Sequence, residues 1–173
     1  MMETARWDDH DALAIELAGA TDVAEIAVVL EDARRWLDGR SIAQWQRGFT
    51  SEWIAERVAA GEFWIARRAG EPVAVARLLW ADPLFWQERE QGDAAYVHTL
   101  AVRHDCAAHG VGAQILRWVE EYARVRGRRV LRLDCGAQNL ALIDYYQRQG
   151  FTPVAKQSVG PTTVMLLEKA INS

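Results

Sequence analysis

The order of apolar patterns predicts an α/β domain: a mixed layer of helices built round one sheet. Three observations carry this. Two stretches near the start repeat apolar residues at helical spacing, three strand-like runs follow, and helix, strand and helix then lead into two closing strands. A chain of 173 residues suits one domain of ordinary size, able to bury a core without disulfides or metal clips.

Taken in order, residues 1–11 are polar and read as a loose segment, with a single domain over 12–173. Ala12 to Ala18 alternates in part and reads as a first strand. Thr21 suits an N-cap. Val23, Ile26, Ala27, Leu30, Ala33, Arg34 and Leu37 then form a helical stripe that Gly39 ends. A second helix follows Gly48–Ser51, buries Trp53, Ile54, Val58 and Ala59, and stops at Gly61. Glu62 to Arg68 and Val73 to Trp80 form a hairpin across Ala69-Gly70-Glu71-Pro72. Asp82-Pro83 closes that hairpin, and residues 81–93 read as a loop with one helical turn in which Glu88 and Glu90 are solvated. Ala95 to Val102 is apolar on both faces, like a central strand. Gly110 to Arg126 is a helix with Val111, Ile115, Val119 and Tyr122 on one stripe. Arg129 to Cys135 is a strand, Asn139 to Gln149 a helix, and strands begin at Phe151 and Val164.

Composition narrows the function classes. Half the residues are apolar, a quarter are charged, and the net charge of -4 argues against a general nucleic-acid binder. The arginines at 124, 126, 128 and 129 read as a solvated helix end. Two cysteines, Cys106 and Cys135, give neither a disulfide framework nor a zinc site. No apolar run reaches the roughly 18 residues of a membrane span, and Met1 to Asp11 lacks a signal-peptide pattern, so a cytoplasmic protein without resident metal is expected.

The chemistry concentrates in the second half. After Val97-His98-Thr99-Leu100-Ala101-Val102 comes a polar loop, and then Gly110-Val111-Gly112-Ala113 opens a helix. A helix N-terminus offers unpaired N–H groups and partial positive charge, and glycine lets them approach a bulky anion. The turn is neither a nucleotide P-loop nor a dinucleotide fingerprint, because no Gly-Lys-Ser/Thr follows and Ile115 stands where a third glycine belongs.

The stretch from Tyr96 to Phe151 resembles the GCN5-related N-acetyltransferase (GNAT) superfamily. The Leu-Ala-Val strand end and the glycine turn are joined by Leu131-Arg132-Leu133-Asp134-Cys135, Asn139, Tyr145-Tyr146 and Gly150-Phe151 in the family's order. One departure is that Ala107 occupies the usual Arg/Gln position and Ala108 the next, often glycine, position. The resemblance implies a mixed, mostly antiparallel twisted sheet of about 6–7 strands flanked by about 4 helices. It also implies acetyl-coenzyme A as cosubstrate, held by Leu100, Ala101, Val102, Ala107, Ala108, His109, Gly110, Val111, Gly112 and Ala113, together with Asn139 and Tyr146. Asn139 equally fits an N-cap. Such enzymes join the acetyl group to an amine by direct attack in a ternary complex, without an acyl-enzyme, so Cys135 and Cys106 have no catalytic part.

An alkyl amine, with a pKa of about 10.4, must lose a proton before attack. His98 on the strand is the candidate base, equally compatible with a satisfied sheet histidine; Asp134 and Asp93 are rivals. By resemblance, Tyr146 lies near the departing sulfur as the acid. Trp36, Trp45 and Trp86, with Asp134, are candidates for the acceptor pocket. The expected function is transfer to a primary amine of a small molecule, by a monomer or homodimer that engages neither membrane nor nucleic acid. An acyl-CoA-binding module without turnover and a protein or peptide N-acetyltransferase remain the alternatives.

Overall fold

A computed structural model describes residues 12–42, 45 and 48–172. The expected loose segment 1–11 lies outside the described residues. The elements are β1 (Leu13–Leu17), α1 (Val23–Asp38), α2 (Ser51–Ala59), β2 (Phe63–Arg68), β3 (Glu71–Leu79), α3 (Pro83–Trp86), β4 (Ala94–Val102), α4 (Val111–Val125), β5 (Val130–Gly136), α5 (Leu140–Arg148), β6 (Thr152–Val159) and β7 (Thr162–Ala170). The strands form a seven-stranded sheet in the order β1-β2-β3-β4-β5-β7-β6. Pairings β1–β2, β2–β3, β5–β7 and β6–β7 are antiparallel, while β4–β5, joined through α4, is parallel. The sheet is therefore mixed, as the sequence predicts.

Local chemistry sets the element ends. α1 starts two residues after the expected Thr21 cap, because the Asp22 carboxylate accepts from Gly19 N–H at 2.8 Å and the chain makes a 3-10 turn over Ala20–Asp22. The Thr50 hydroxyl caps α2 by accepting from Trp53 N–H at 3.1 Å. Asp82 caps the single turn of α3. Glu90 departs from the solvated-loop reading: it is half-buried and accepts from the N–H groups of Asp82 and Gly92.

The described chain gathers into two compact units, with boundaries on β3 after Arg77, on β4 after His98 and on α4 after Ile115. Unit 1 holds β1, α1, α2, β2 and the adjoining parts of those three elements. Its core packs Ile26, Val29, Leu30 and Ala33 of α1 and Ile54 and Val58 of α2 on Phe63, Ile65 and Val75. Burying each large aliphatic side chain contributes about 1.5–3 kcal/mol. Unit 2 holds α3, most of α4, β5, α5, β6 and β7. One of its clusters joins Trp86, Ala94, Tyr96, Val164 and Leu166.

One irregularity falls on β4. Thr99 has φ +50°, in the left-handed region that a β-branched residue rarely adopts. The ladder to β5 ends just before it, running from Ala94↔Val130 to Val97↔Leu133. His98 and Asp134 are the first residues past that ladder, one on each strand.

Candidate active site

In unit 1 the loop before α4 is tied down at several points. Arg103 N–H donates to Val73 O at 2.9 Å, and Asp32 of α1 meets the His104 backbone N–H at 2.8 Å and its ring Nδ1 at 2.7 Å. The glycine turn follows on this anchored loop. Gly110 takes φ +70°, and a Cβ there would meet nothing within 4 Å, so the backbone conformation is what selects glycine. Ala107 to Gly110 are exposed. The N–H groups of Ala107 and His109 bond within the turn, to His104 O and Cys106 O. The first bond from α4 back to the turn runs from Gln114 N–H to Gly110 O at 3.1 Å, and helix geometry leaves Val111, Gly112 and Ala113 without intrahelical acceptors. Leu100 and Val102 are half-buried and Ala101 is buried.

In unit 2 the β4–β5 register builds a polar column. Side chains two apart on a strand share a face. Tyr96 and Arg132 are ladder partners, and Arg132 is also the partner of Glu168 on β7. The buried Arg132 guanidinium donates to Tyr96 Oη at 3.1 Å, Glu168 Oε2 at 3.2 Å and Arg89 O at 2.9 Å, and lies 4.4 Å from the centre of the Trp86 ring. Burial tends to raise the Glu90 carboxyl pKa, but hydrogen bonds from Tyr96, Asp82 and Gly92, with the Arg132 charge, hold it below the usual range.

One step further along each strand stand His98 and Asp134. His98 Nδ1 lies 3.6 Å from Asp134 Oδ1, and its Nε2 lies 2.8 Å from Asp82 Oδ2. The Phe85 ring packs against the imidazole at 5.7 Å between centroids. Asp134 Oδ1 is buried with no hydrogen-bond partner. Burial pushes the Asp134 carboxyl up to about 6, with a smaller push from Asp82, although His98 pulls it down. Asp93, the other rival base, faces Arg129 at 3.8 Å.

A metal ion is one occupant such a trio suggests, since the ligand atoms of Asp82, His98 and Asp134 lie within 4.8 Å of one another. The donor set fits poorly. Each ring nitrogen faces a different carboxylate, and the 2.8 Å contact is a direct hydrogen bond, shorter than the roughly 3.3 Å between ligands implied by Zn–ligand distances near 2.0 Å in a tetrahedral site.

Tyr146 is buried on α5, beside Tyr145 at 5.4 Å and Phe151 at 5.9 Å. Burial raises its phenol pKa, and the charges of Cys135, Tyr145 and Asp134 add to that. Asn139 has the capping role: its Oδ1 accepts from Leu142 N–H at 3.2 Å. The Cys135 thiol is pushed up to about 12 by burial and by Asp134, leaving it protonated at neutral pH. Of the tryptophans, Trp36 is half-buried under Arg40 at 3.9 Å, and Trp45 packs edge-on to Phe49. Trp86 is only 1% exposed and belongs to the core beneath Arg132.

Asp82, Glu90 and Arg132 have no site role in the sequence expectations. Asp82 reads locally as a cap before a proline, and nothing short-range ties it to a histidine sixteen positions away. The period-2 pairing of Tyr96 and His98 with Arg132 and Asp134 could have signalled the column, once β4 and β5 are taken as parallel neighbours.

The sequence model described as the Acetyltransferase (GNAT) family matches residues 30–151. The chain is 29% identical over 159 residues to the uncharacterized N-acetyltransferase YesJ of Bacillus subtilis (strain 168), covering 88% of this chain and 87% of that protein. A GNAT-family acetyltransferase from Listeria monocytogenes has a similar fold, with a TM-score of 0.78 at 23% identity over 91% of this chain and 94% of the other. The aminoglycoside acetyltransferase AAC(6')-Ib, solved with coenzyme A and kanamycin, gives 0.74 at 18% over 92% and 95%. With the family model matching most of its length, the chain belongs to the acetyltransferase (GNAT) family and is an N-acetyltransferase by class.

Proposed function

We propose that the protein transfers an acetyl group from acetyl-coenzyme A to a primary amine of a small molecule, by direct attack in a ternary complex. The observation that carries the chemistry is His98, held between two poorly exposed carboxylates where the β4–β5 ladder ends. Coenzyme binding falls to the backbone of Leu100, Ala101 and Val102 and the turn from Ala107 to Ala113. Val111, Gly112 and Ala113 contribute the most N–H groups, because those of Ala107 and His109 already bond locally. Asn139 serves the fold by capping α5, its Oδ1 accepting from Leu142 N–H. Trp36 and Trp45 are the aromatic candidates for the acceptor pocket; burial removes Trp86 from that role.

In the reaction, the ammonium first gives a proton to His98. The neutral nitrogen then attacks the thioester carbonyl, a C–N bond forms, the C–S bond breaks, and the nitrogen, acidified by its new bond, releases its second proton to solvent. Tyr146 donates a hydrogen bond to the sulfur as negative charge develops. Its raised pKa keeps the hydroxyl protonated for this purpose, and full transfer to a thiolate of pKa about 8.5 is uphill. The thiolate therefore leaves with a hydrogen bond and takes its proton from solvent. AAC(6')-Ib with kanamycin is a precedent for a small-molecule ligand on this fold.

The test is release of free thiol from acetyl-CoA with phenethylamine, tryptamine, spermidine, kanamycin and an alanine-terminated peptide. Turnover with a small amine and loss of roughly 10²-fold or more in kcat for His98→Ala are expected. Turnover with the peptide alone moves the acceptor to proteins, and tight acetyl-CoA binding without turnover on any acceptor overturns the reading.

A further inference from the structure

We propose that Asp82 is a positioning residue for this reaction: it fixes the His98 ring with Nε2 protonated, so that Nδ1 is the atom that takes the amine proton. The inference rests on the reading of His98 as the base. Asp82 is 5% exposed, and both of its oxygens are engaged. Oδ1 accepts from Phe85 N–H at 3.3 Å, and Oδ2 meets His98 Nε2 at 2.8 Å. A carboxylate only accepts, so the ring nitrogen facing it is the one that carries hydrogen. The lone pair is then on Nδ1.

Asp82 is itself held. Its N–H donates to Glu90 Oε2 at 2.8 Å, Glu90 also bonds the Tyr96 hydroxyl, and Tyr96 accepts from Arg132. The chain of contacts therefore runs from β5 through β4 and the loop back to the imidazole. No turn of the ring improves on this arrangement, because a flipped ring loses the 2.8 Å bond. On the Nδ1 side, Asp134 Oδ1 at 3.6 Å is too far for a hydrogen bond and has no other partner. The charged and titratable groups around the imidazole are thus Asp82 from the start of α3 and Asp134 from β5, with Phe85 as the apolar wall. When R–NH3+ gives its proton to Nδ1, the products are R–NH2 and an imidazolium flanked by two carboxyl groups.

Two variants separate positioning from scaffolding. Asp82→Asn keeps an oxygen to cap α3 but offers the ring an amide in place of a carboxylate. Asp82→Ser keeps a good cap and is too short to reach Nε2. Both should lower kcat by roughly 10²-fold or more, by analogy with the tautomer fixed by the aspartate of a catalytic triad, while KM for acetyl-CoA changes less than about twofold. The acid limb of the pH–rate profile should move to lower pH in both, and Asp82→Glu should recover part of the rate.

Nitrogen-15 NMR of His-labelled protein reads the tautomer without any acceptor. The Nε2–H form is expected for His98 in the wild type, and a mixture or the Nδ1–H form in Asp82→Asn. A wild-type Nδ1–H form, or an unmoved acid limb in both variants, overturns the proposal. So does stoichiometric zinc binding by the wild type that is lost in Asp82→Asn, because it makes the trio a metal site. If His98→Ala keeps full rate while NMR shows the Nε2–H form, the base assignment fails, and Asp82 positions a ring that has no part in the reaction.

Discussion

Asp134 shows how one buried carboxyl ties catalysis to stability. In the folded protein it keeps its proton up to about pH 6, whereas an unfolded aspartate loses it near 3.9. The folded state therefore binds more protons between those values, and stability falls as pH rises through that window. Above pH 6 the full cost is present, on the order of 2–3 kcal/mol. Asp134→Asn should raise urea-unfolding stability by about 1–3 kcal/mol at pH 8 and by little at pH 4; equal gains at both values refute the assignment. Tyr146 makes a kinetic prediction. Tyr146→Phe should lower kcat at least roughly tenfold with little change in acetyl-CoA binding, and an unchanged kcat removes the hydroxyl from the reaction. Tyr146 enters the sequence expectations by resemblance, and His98 and Asp134 as titratable residues on strands, which the fold brings to 3.6 Å of one another. Asp82 and Glu90 are not legible as site residues, since their partners lie across the loop and only the folded chain brings them together.

At the scale of elements, the glycine turn is where sequence and backbone agree most directly. Gly110→Ala meets no steric obstacle, so its cost is that of forcing an alanine to φ +70°, about 1–2 kcal/mol. Relaxing that strain moves the first turn of α4. Acetyl-CoA affinity should fall several-fold in calorimetry with kcat nearly unchanged at saturation, and an unaltered affinity argues against a coenzyme role for the turn. Periodicity placed α1, α2, α4 and α5 to within about two residues, and α3 falls inside the loop 81–93 where one helical turn was expected. The errors have local causes, such as the Asp22 carboxylate delaying α1. The bend at Thr99 had no sequence signal, because threonine is an ordinary strand residue and its φ of +50° reflects context.

At the scale of the whole molecule, the buried side chains of the described residues include one cluster in unit 1 and one in unit 2. Leu30, fully buried in unit 1, should cost about 2–5 kcal/mol when replaced by alanine, read from chemical denaturation. A loss under 1 kcal/mol shows that the site collapses around the smaller side chain. Apolar patterning revealed most members of the unit 1 cluster. The unit 2 cluster was harder to foresee, because it includes Trp86, whose burial depends on the Arg132 guanidinium across its face. That stacking has an optical consequence. Trp86 is the one buried tryptophan among the described residues, and it ends the turn that Asp82 caps. Its emission should lie at the blue edge of the protein's fluorescence and shift red when that turn loosens. The enzyme thus carries its own dye one residue from the Phe85 ring that packs on the imidazole, able to follow ligand arrival in a stopped-flow trace without labelling.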